Sequence, residues 1–207
     1  MSTTKFVSIS LAMLILVVLM LCLVVLIATE ADAQDLSKPE IRVVNHWQHF
    51  ADTKNIGFAA YVNEPDVTRG GPRVFGVAGI AFRNKAKTKW LEVLGGGLIN
   101  RNGFDPTLDI RGQTKLNTLH GLTLWGEYMR LFKSDRSLLS GSATKTLHKR
   151  FKLGAESDTW KQKVGGGTGV GPGAGMALTP HLQIWSAYQF GIGKQRDVWR
   201  TYFVINW

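Results

Sequence analysis

Apolar and polar residues alternate along much of this chain. In Phe104–Gln113, Phe104, Pro106, Leu108 and Ile110 share one face, while Asp105, Thr107, Asp109, Arg111 and Gln113 share the other. In Leu147–Asp158, Leu147, Phe151, Leu153 and Ala155 lie opposite His148, Arg150, Lys152, Glu156 and Asp158, with Lys149 interrupting the apolar side. In Leu182–Ile192, Leu182, Ile184, Tyr188, Phe190 and Ile192 oppose Gln183 and Gln189, and Trp185 stands on the polar side. A period of two predicts strands with one apolar and one polar face.

Phe58–Val62, Arg73–Arg83, Lys89–Asn100, Leu119–Leu131, Gly167–Leu178 and Val198–Trp207 read as further strands built from smaller residues. Turn chemistry separates the segments at Asn63-Glu64-Pro65-Asp66, Asn84-Lys85, Asn100-Arg101-Asn102-Gly103, Thr179-Pro180-His181 and Gly193-Lys194. Ile41–Phe50 is ambiguous. Ser37 and Glu40 have capping-box spacing, and Ile41, Val44, Trp47 and Phe50 recur at helical spacing, but the stretch also serves as a first strand. The expectation is an all-β, antiparallel up-and-down barrel of eight to ten strands, with ten favoured. Ten strands place Asn100–Gly103 and Thr179–His181 at the same end.

The N-terminus has a different character. Lys5 precedes an uncharged stretch from Leu11 to Ala28, and Ala31-Asp32-Ala33 follows. A basic start, an apolar run and small residues at the A-x-A positions predict a cleaved secretory signal over residues 1–33, with an uncleaved anchor as the alternative. The chain then divides into that signal, an N-terminal segment or first strand over 34–55, and the barrel over 56–207. Cys22 is the one cysteine of the 207 residues. It has Leu19-Met20-Leu21 before it and Leu23-Val24-Val25 after it, which is the wrong context for lipidation. A mature chain without cysteine suits an oxidising compartment and excludes a disulfide framework.

The chain carries 25 Lys and Arg against 15 Asp and Glu, a formal charge of +10. Residues 1–33 hold Lys5, Glu30 and Asp32, so their removal raises the charge to +11. Nucleic-acid motifs are absent. For an exported chain the basic balance points instead to an anionic membrane surface, lipopolysaccharide or a small anionic ligand.

Alternation alone does not say which face looks inward. A soluble lipocalin-like periplasmic binder buries the apolar face, whereas a membrane barrel exposes it to lipid. Strand length favours the membrane, because several segments run nine to twelve residues, long enough to cross a bilayer at a tilt, while soluble strands average about five or six. Trp90, Trp199, Tyr202 and Trp207 fall near strand ends, where rings are expected at headgroup level. Phe203, Ile205 and Trp207 alternate and finish on the last residue. This ending resembles the C-terminal strand of small bacterial outer-membrane β-barrel proteins, although Arg200 stands where such strands often carry glycine. The resemblance implies outer-membrane lipid or lipopolysaccharide as surroundings, the barrel-assembly machinery as a partner, an even strand number and both termini in the periplasm.

Candidate chemistry is sparse. A Ser–His–acid site needs close contacts. Within single strands, His148 and Ser157 face opposite ways, as do His120 and Glu127, and His148 and Glu156 lie too far apart. A barrel enzyme acting on membrane lipids is therefore the alternative, and no residue is assigned to catalysis, cofactor or metal. Gly165–Gly173 lacks the Lys-Ser or Lys-Thr of a phosphate loop and reads as a device for bending and close packing. His46 and His49 have ligand spacing but no acidic or cysteine partners nearby and are expected to be solvated or interfacial. The polar faces are expected to line a narrow interior. There Asp105, Asp109 and Arg111 would cross-pair with His148, Arg150, Lys152 and Glu156, plugging the barrel.

Overall fold

A computed structural model describes residues 40–51, 54–64, 74–100, 102–116, 121–148, 150–163 and 165–207. The expected signal, residues 1–33, lies outside them, as do His120, Lys149 and the side chain of His148. The remainder is one closed β-barrel. Its strands are β1 (Glu40–Phe50), β2 (Ile56–Glu64), β3 (Val74–Arg83), β4 (Lys89–Asn100), β5 (Gly103–Leu116), β6 (Leu122–Leu131), β7 (Arg136–His148), β8 (Phe151–Gln162), β9 (Gly165–Ala177), β10 (Leu182–Gly193) and β11 (Val198–Asn206).

Each strand pairs antiparallel with its neighbours in sequence, and β1 closes the ring against β11. That closing pair is parallel, running from Glu40↔Arg200 to His46↔Asn206. Its direction follows from number: strands that alternate up and down bring the first and last together parallel when their count is odd. The eleven strands therefore correct the even number of eight to ten. The chain enters β1 at one rim, called here the near rim, and Trp207 ends at the other, the far rim. The first strand therefore starts at the rim opposite the one where the last strand ends, unlike in a barrel of even strand number. Asn100–Gly103 lies at the near rim and Thr179–His181 at the far rim, because an unforeseen strand separates them.

That strand is β7. Its sequence, RSLLSGSATKTLH, mixes small residues into both faces, so period two is blurred. Leu147 and Phe151, read as one face of a single strand, fall in β7 and β8 respectively. Ile41–Phe50 is strand throughout, paired with β11 up to His46 and with β2 from Val43 to Phe50. The helical spacing of its apolar residues is overridden by two neighbouring edges in need of hydrogen bonds.

Turns are held by their own side chains. The Asn100 side chain accepts the N–H of Asn102 at 2.8 Å, and Gly103 follows at φ +92°, a backbone region that favours glycine. Asp105 accepts the N–H groups of Lys133 at 2.8 Å and Ser134 at 3.2 Å, fixing the β6–β7 turn.

The wall has two unlike faces. Large apolar residues remain exposed around its outside, including Phe58, Ile80, Val93, Leu139, Val170 and Ile192. Buried charges face the interior: Glu40, Glu92, Asp109, Arg111, Glu156, Asp158 and Arg200. One sector of the interior departs from the expected polar lining. There Phe75, Val77, Ala81 and Leu94 pack with Ala59, joined by Phe50, Tyr61, Leu98 and Met129. Strands β2 to β4 are apolar on both faces, which is why their alternation is weak in sequence.

The parallel seam has a direct test. With Cys22 replaced by Ser, the pair Val43→Cys/Phe203→Cys joins register partners and is expected to oxidise to an intramolecular disulfide. The shifted pair Val43→Cys/Thr201→Cys is expected to do so far less. Gel mobility with and without reductant reads the outcome, and equal oxidation of both pairs would contradict the register.

Candidate functional site in the barrel interior

The interior charges form two clusters, each organised around a buried arginine. Arg111 on β5 is 3% exposed and Asp109 beside it is 0% exposed. The two side chains share an ion pair along the strand. The same guanidinium reaches Glu127 on β6 at 2.9 Å, stands 4.0 Å from Glu92 on β4, and lies 3.7 Å from the ring centre of Tyr61 on β2. Glu92 in turn accepts from Gln48 at 2.6 Å and meets the His46 ring nitrogen at 2.8 Å, both on β1.

Arg200 on β11 organises the second cluster. It donates to Glu40 on β1 at 2.6 Å, to Asp158 on β8, and to the Gln189 side-chain oxygen on β10 at 2.8 Å. Gln189 passes the network on, donating to Glu156 at 2.7 Å. Glu156 also accepts the indole N–H of Trp185 at 2.8 Å. Arg42 donates to Glu40 at 2.6 Å and lies 5.5 Å from the ring centre of Tyr202. Both clusters therefore draw on β1, and the Glu40–Arg200 contact joins register partners across the parallel seam.

The glycine run of β9 makes room for this second cluster. A Cβ on Gly173 would come within 2.4 Å of the Trp185 ring, and one on Gly169 within 2.6 Å of the Gln189 side-chain oxygen. These glycines keep one wall of the interior bare where β10 directs its largest side chains. Trp185 stands on the polar face for the same reason: its N–H belongs to the network.

The expected cross-pairing of β5 with β8 does not form. Asp109 and Arg111 pair with β4 and β6, while Glu156 and Asp158 pair with β10 and β11. Asp105 serves a turn. Arg150 is exposed in the β7–β8 turn, outside the network. Lys152 points inward and donates to Gln183 at 2.8 Å. His46 is not solvated but bonded to Glu92, whereas His49 is exposed as expected. Of the rings expected at strand ends, Trp199 and Trp207 are exposed, but Trp90 and Tyr202 line the interior. Strand parity decides this, since Trp90 shares a face with Glu92, and Tyr202 with Arg200.

Sequence reasoning missed Glu40, Arg42, Glu92, Glu127 and Arg200 as network members. A usable signal existed. Each has the parity of the polar face of its strand, and Arg200 interrupts an apolar terminal strand.

The Arg200 cluster lies where β1 and β11 start, whereas the Arg111 cluster lies at mid-height, with Glu92 close to the far-rim end of β4. A cavity of about 410 Å³ runs beside both clusters, lined among others by Arg42, Asn63, Arg111, Glu156, Trp90 and Lys152. A second hollow of about 420 Å³ shares His46, Trp90, Gln113, Gln183 and Asn206 with it and reaches the far rim at Lys87 and Lys89. The interior is a partly filled cup whose cavity reaches down among the ion pairs, not a uniform channel. Among the described residues, no group of three or more His, Cys, Asp or Glu is arranged to hold a metal ion.

Comparisons with protein-family models, curated proteins and solved structures found no match to this chain.

The network predicts a contrast between two arginines. Arg200→Ala leaves Asp158 buried without its cation and is expected to lower unfolding stability by about 3–5 kcal/mol. Arg150→Ala, on an exposed turn, is expected to change it by no more than about 0.5 kcal/mol. Denaturant titration followed by tryptophan fluorescence measures both, and equal effects would remove Arg200 from its central place.

Proposed function

We propose that this chain is a membrane-embedded barrel of the bacterial outer membrane. Its interior is narrowed by two clusters of ion pairs and holds, toward the far rim, a chamber for a small anionic ligand. The observation that carries the membrane reading is the orientation of the wall. Exposed Phe58, Ile80, Val93, Leu139, Val170 and Ile192 belong to strands spread around the ring. In water such a surface far exceeds the few hundred Å² of contiguous apolar area that a monomer ordinarily tolerates. In hydrocarbon it is the required surface, and the closed ring leaves no unpaired backbone edge.

Three further features support the reading. Strands run from 9 to 14 residues, enough for a tilted crossing. Aromatic rings are exposed toward both rims, with Phe104, Phe132 and Trp199 near one and Phe82 and Phe151 near the other. The N-terminal sequence supplies an export signal, and the terminal strand offers the alternating ending that the barrel-assembly machinery recognises. A lipocalin-like soluble barrel calls for the opposite orientation, with apolar residues inside and ions outside.

The two ionic clusters that project into the ring argue against a wide pore. A structural or binding role fits better, with the far-rim chamber as the place where a ligand is held. The outer wall remains available to anionic lipid and lipopolysaccharide.

The reading separates from its soluble rival in one substitution. Val93→Arg places a charge at mid-strand on the outside of β4. In a bilayer this is expected to cost about 2–4 kcal/mol, and in water no more than about 0.5 kcal/mol. Equilibrium unfolding in lipid vesicles gives the value. A washed preparation that stays dispersed and folded without detergent would refute the membrane assignment outright.

A further inference from the structure

The far rim is strongly one-signed. Lys54, Arg83, Lys85, Lys87, Lys89 and Arg150 stand on or beside it, and among the described residues no Asp or Glu does. The nearest acidic side chain, Glu92, lies below the rim and is already bonded to His46 and Gln48. Such a ring of cations focuses a positive potential on the mouth of the cup.

Three of these cations, Arg83, Lys87 and Lys89, line the mouth itself. Their backbone is held in place. The Asn84 side-chain oxygen accepts the N–H groups of Thr88 and Lys89, both at 2.8 Å, while its amide donates to the Thr88 hydroxyl at 3.0 Å. The Asn84 carbonyl accepts the N–H of Lys87 at 2.9 Å. Inside this turn Lys87 takes φ +53°, an uncommon conformation for lysine. The Arg83 guanidinium lies 4.2 Å from the Phe50 ring centre, which fixes its direction. A rigid turn that holds cations over a hollow is a preorganised anion site.

Below the cations the lining changes. Gln113, Gln183 and Asn206 present amide groups that both donate and accept hydrogen bonds, beside the rings of Trp90 and Trp207. Cations above, amides and indoles below, and about 420 Å³ of space suit a phosphate joined to a compact polyhydroxyl body. The wall is closed on all sides, so a ligand in the hollow arrives through the mouth, from water.

We infer that the far-rim mouth binds a small phosphorylated sugar, with Arg83, Lys87 and Lys89 holding the phosphate and the glutamine and tryptophan side chains holding the sugar. The inference rests on the chamber described under the proposed function and names its ligand class.

The test is calorimetric titration of the full, folded barrel with glucose 6-phosphate, glucose, inorganic phosphate and a short-chain phosphatidylglycerol in turn. Glucose 6-phosphate is expected to bind about tenfold or more tighter than either glucose or phosphate, a gap of about 1.4 kcal/mol or more. Lys87→Gln/Lys89→Gln is expected to weaken it by about tenfold or more with an unchanged melting temperature. Absence of binding, or an unaltered affinity in the double variant, would overturn the inference. So would phosphate alone binding equally well, which marks a general anion patch. Tighter binding of the short-chain lipid would assign the mouth to membrane headgroups instead. These measurements use the folded barrel in whatever medium keeps it dispersed. A negative titration thus leaves the membrane assignment standing, and a detergent-free barrel leaves the titration interpretable.

Discussion

An ionised side chain withdrawn from water must find its opposite within hydrogen-bond reach, or the enclosure is lost. That constraint organises this molecule. Asp109, Glu92 and Gln189 are wholly buried, and Arg111 and Arg200 nearly so. Each arginine is shared among acids that come from different strands. The partners lie on β1, β4, β5 and β6 in one cluster, and on β1, β8, β10 and β11 in the other, and satisfying the second requires the ring to be complete. Hydrogen bonds along the wall would permit other registers, but the pairing inside selects one.

The same constraint explains the uneven filling. Where β2 to β4 turn apolar residues inward, Phe75, Val77 and Leu94 pack as an ordinary hydrophobic cluster and need no ionic partners. Where β9 passes the second network it is reduced to glycine, so that Trp185 and Gln189 reach across. The cup is the space left between the two ionic clusters and beyond them toward the far rim.

Much of the architecture was legible in sequence. Alternation in Phe104–Gln113 and Leu182–Ile192 gives strands with the right parity, and the placement of Asp109 and Arg111 on a polar inner face follows directly. Where both faces carry small or similar residues, the signal fails, and β7 is lost inside Ser-Gly-Ser-Ala. Where two periods overlap, as in Ile41–Phe50, local spacing cannot outvote the unpaired edges waiting on either side. The charge partners were the least legible. Parity places Arg200 and Glu40 on inner faces, but nothing local joins residues 160 positions apart. Their meeting follows from an odd strand number, and one missed strand was enough to hide it.

The seam between β1 and β11 also sets an order of events. Ten hairpin-type pairings link neighbours in sequence and form locally, while the parallel pair alone spans the whole barrel and carries the largest loop-closure entropy. Until it forms, the curled sheet has two sticky edges, and Glu40 and Arg200 each lack the other. The last contact made is thus the one on which the enclosed charges depend, and it works as a latch: a sheet one strand short of closure is no milder version of the barrel, but an open template prone to pair with another copy of itself.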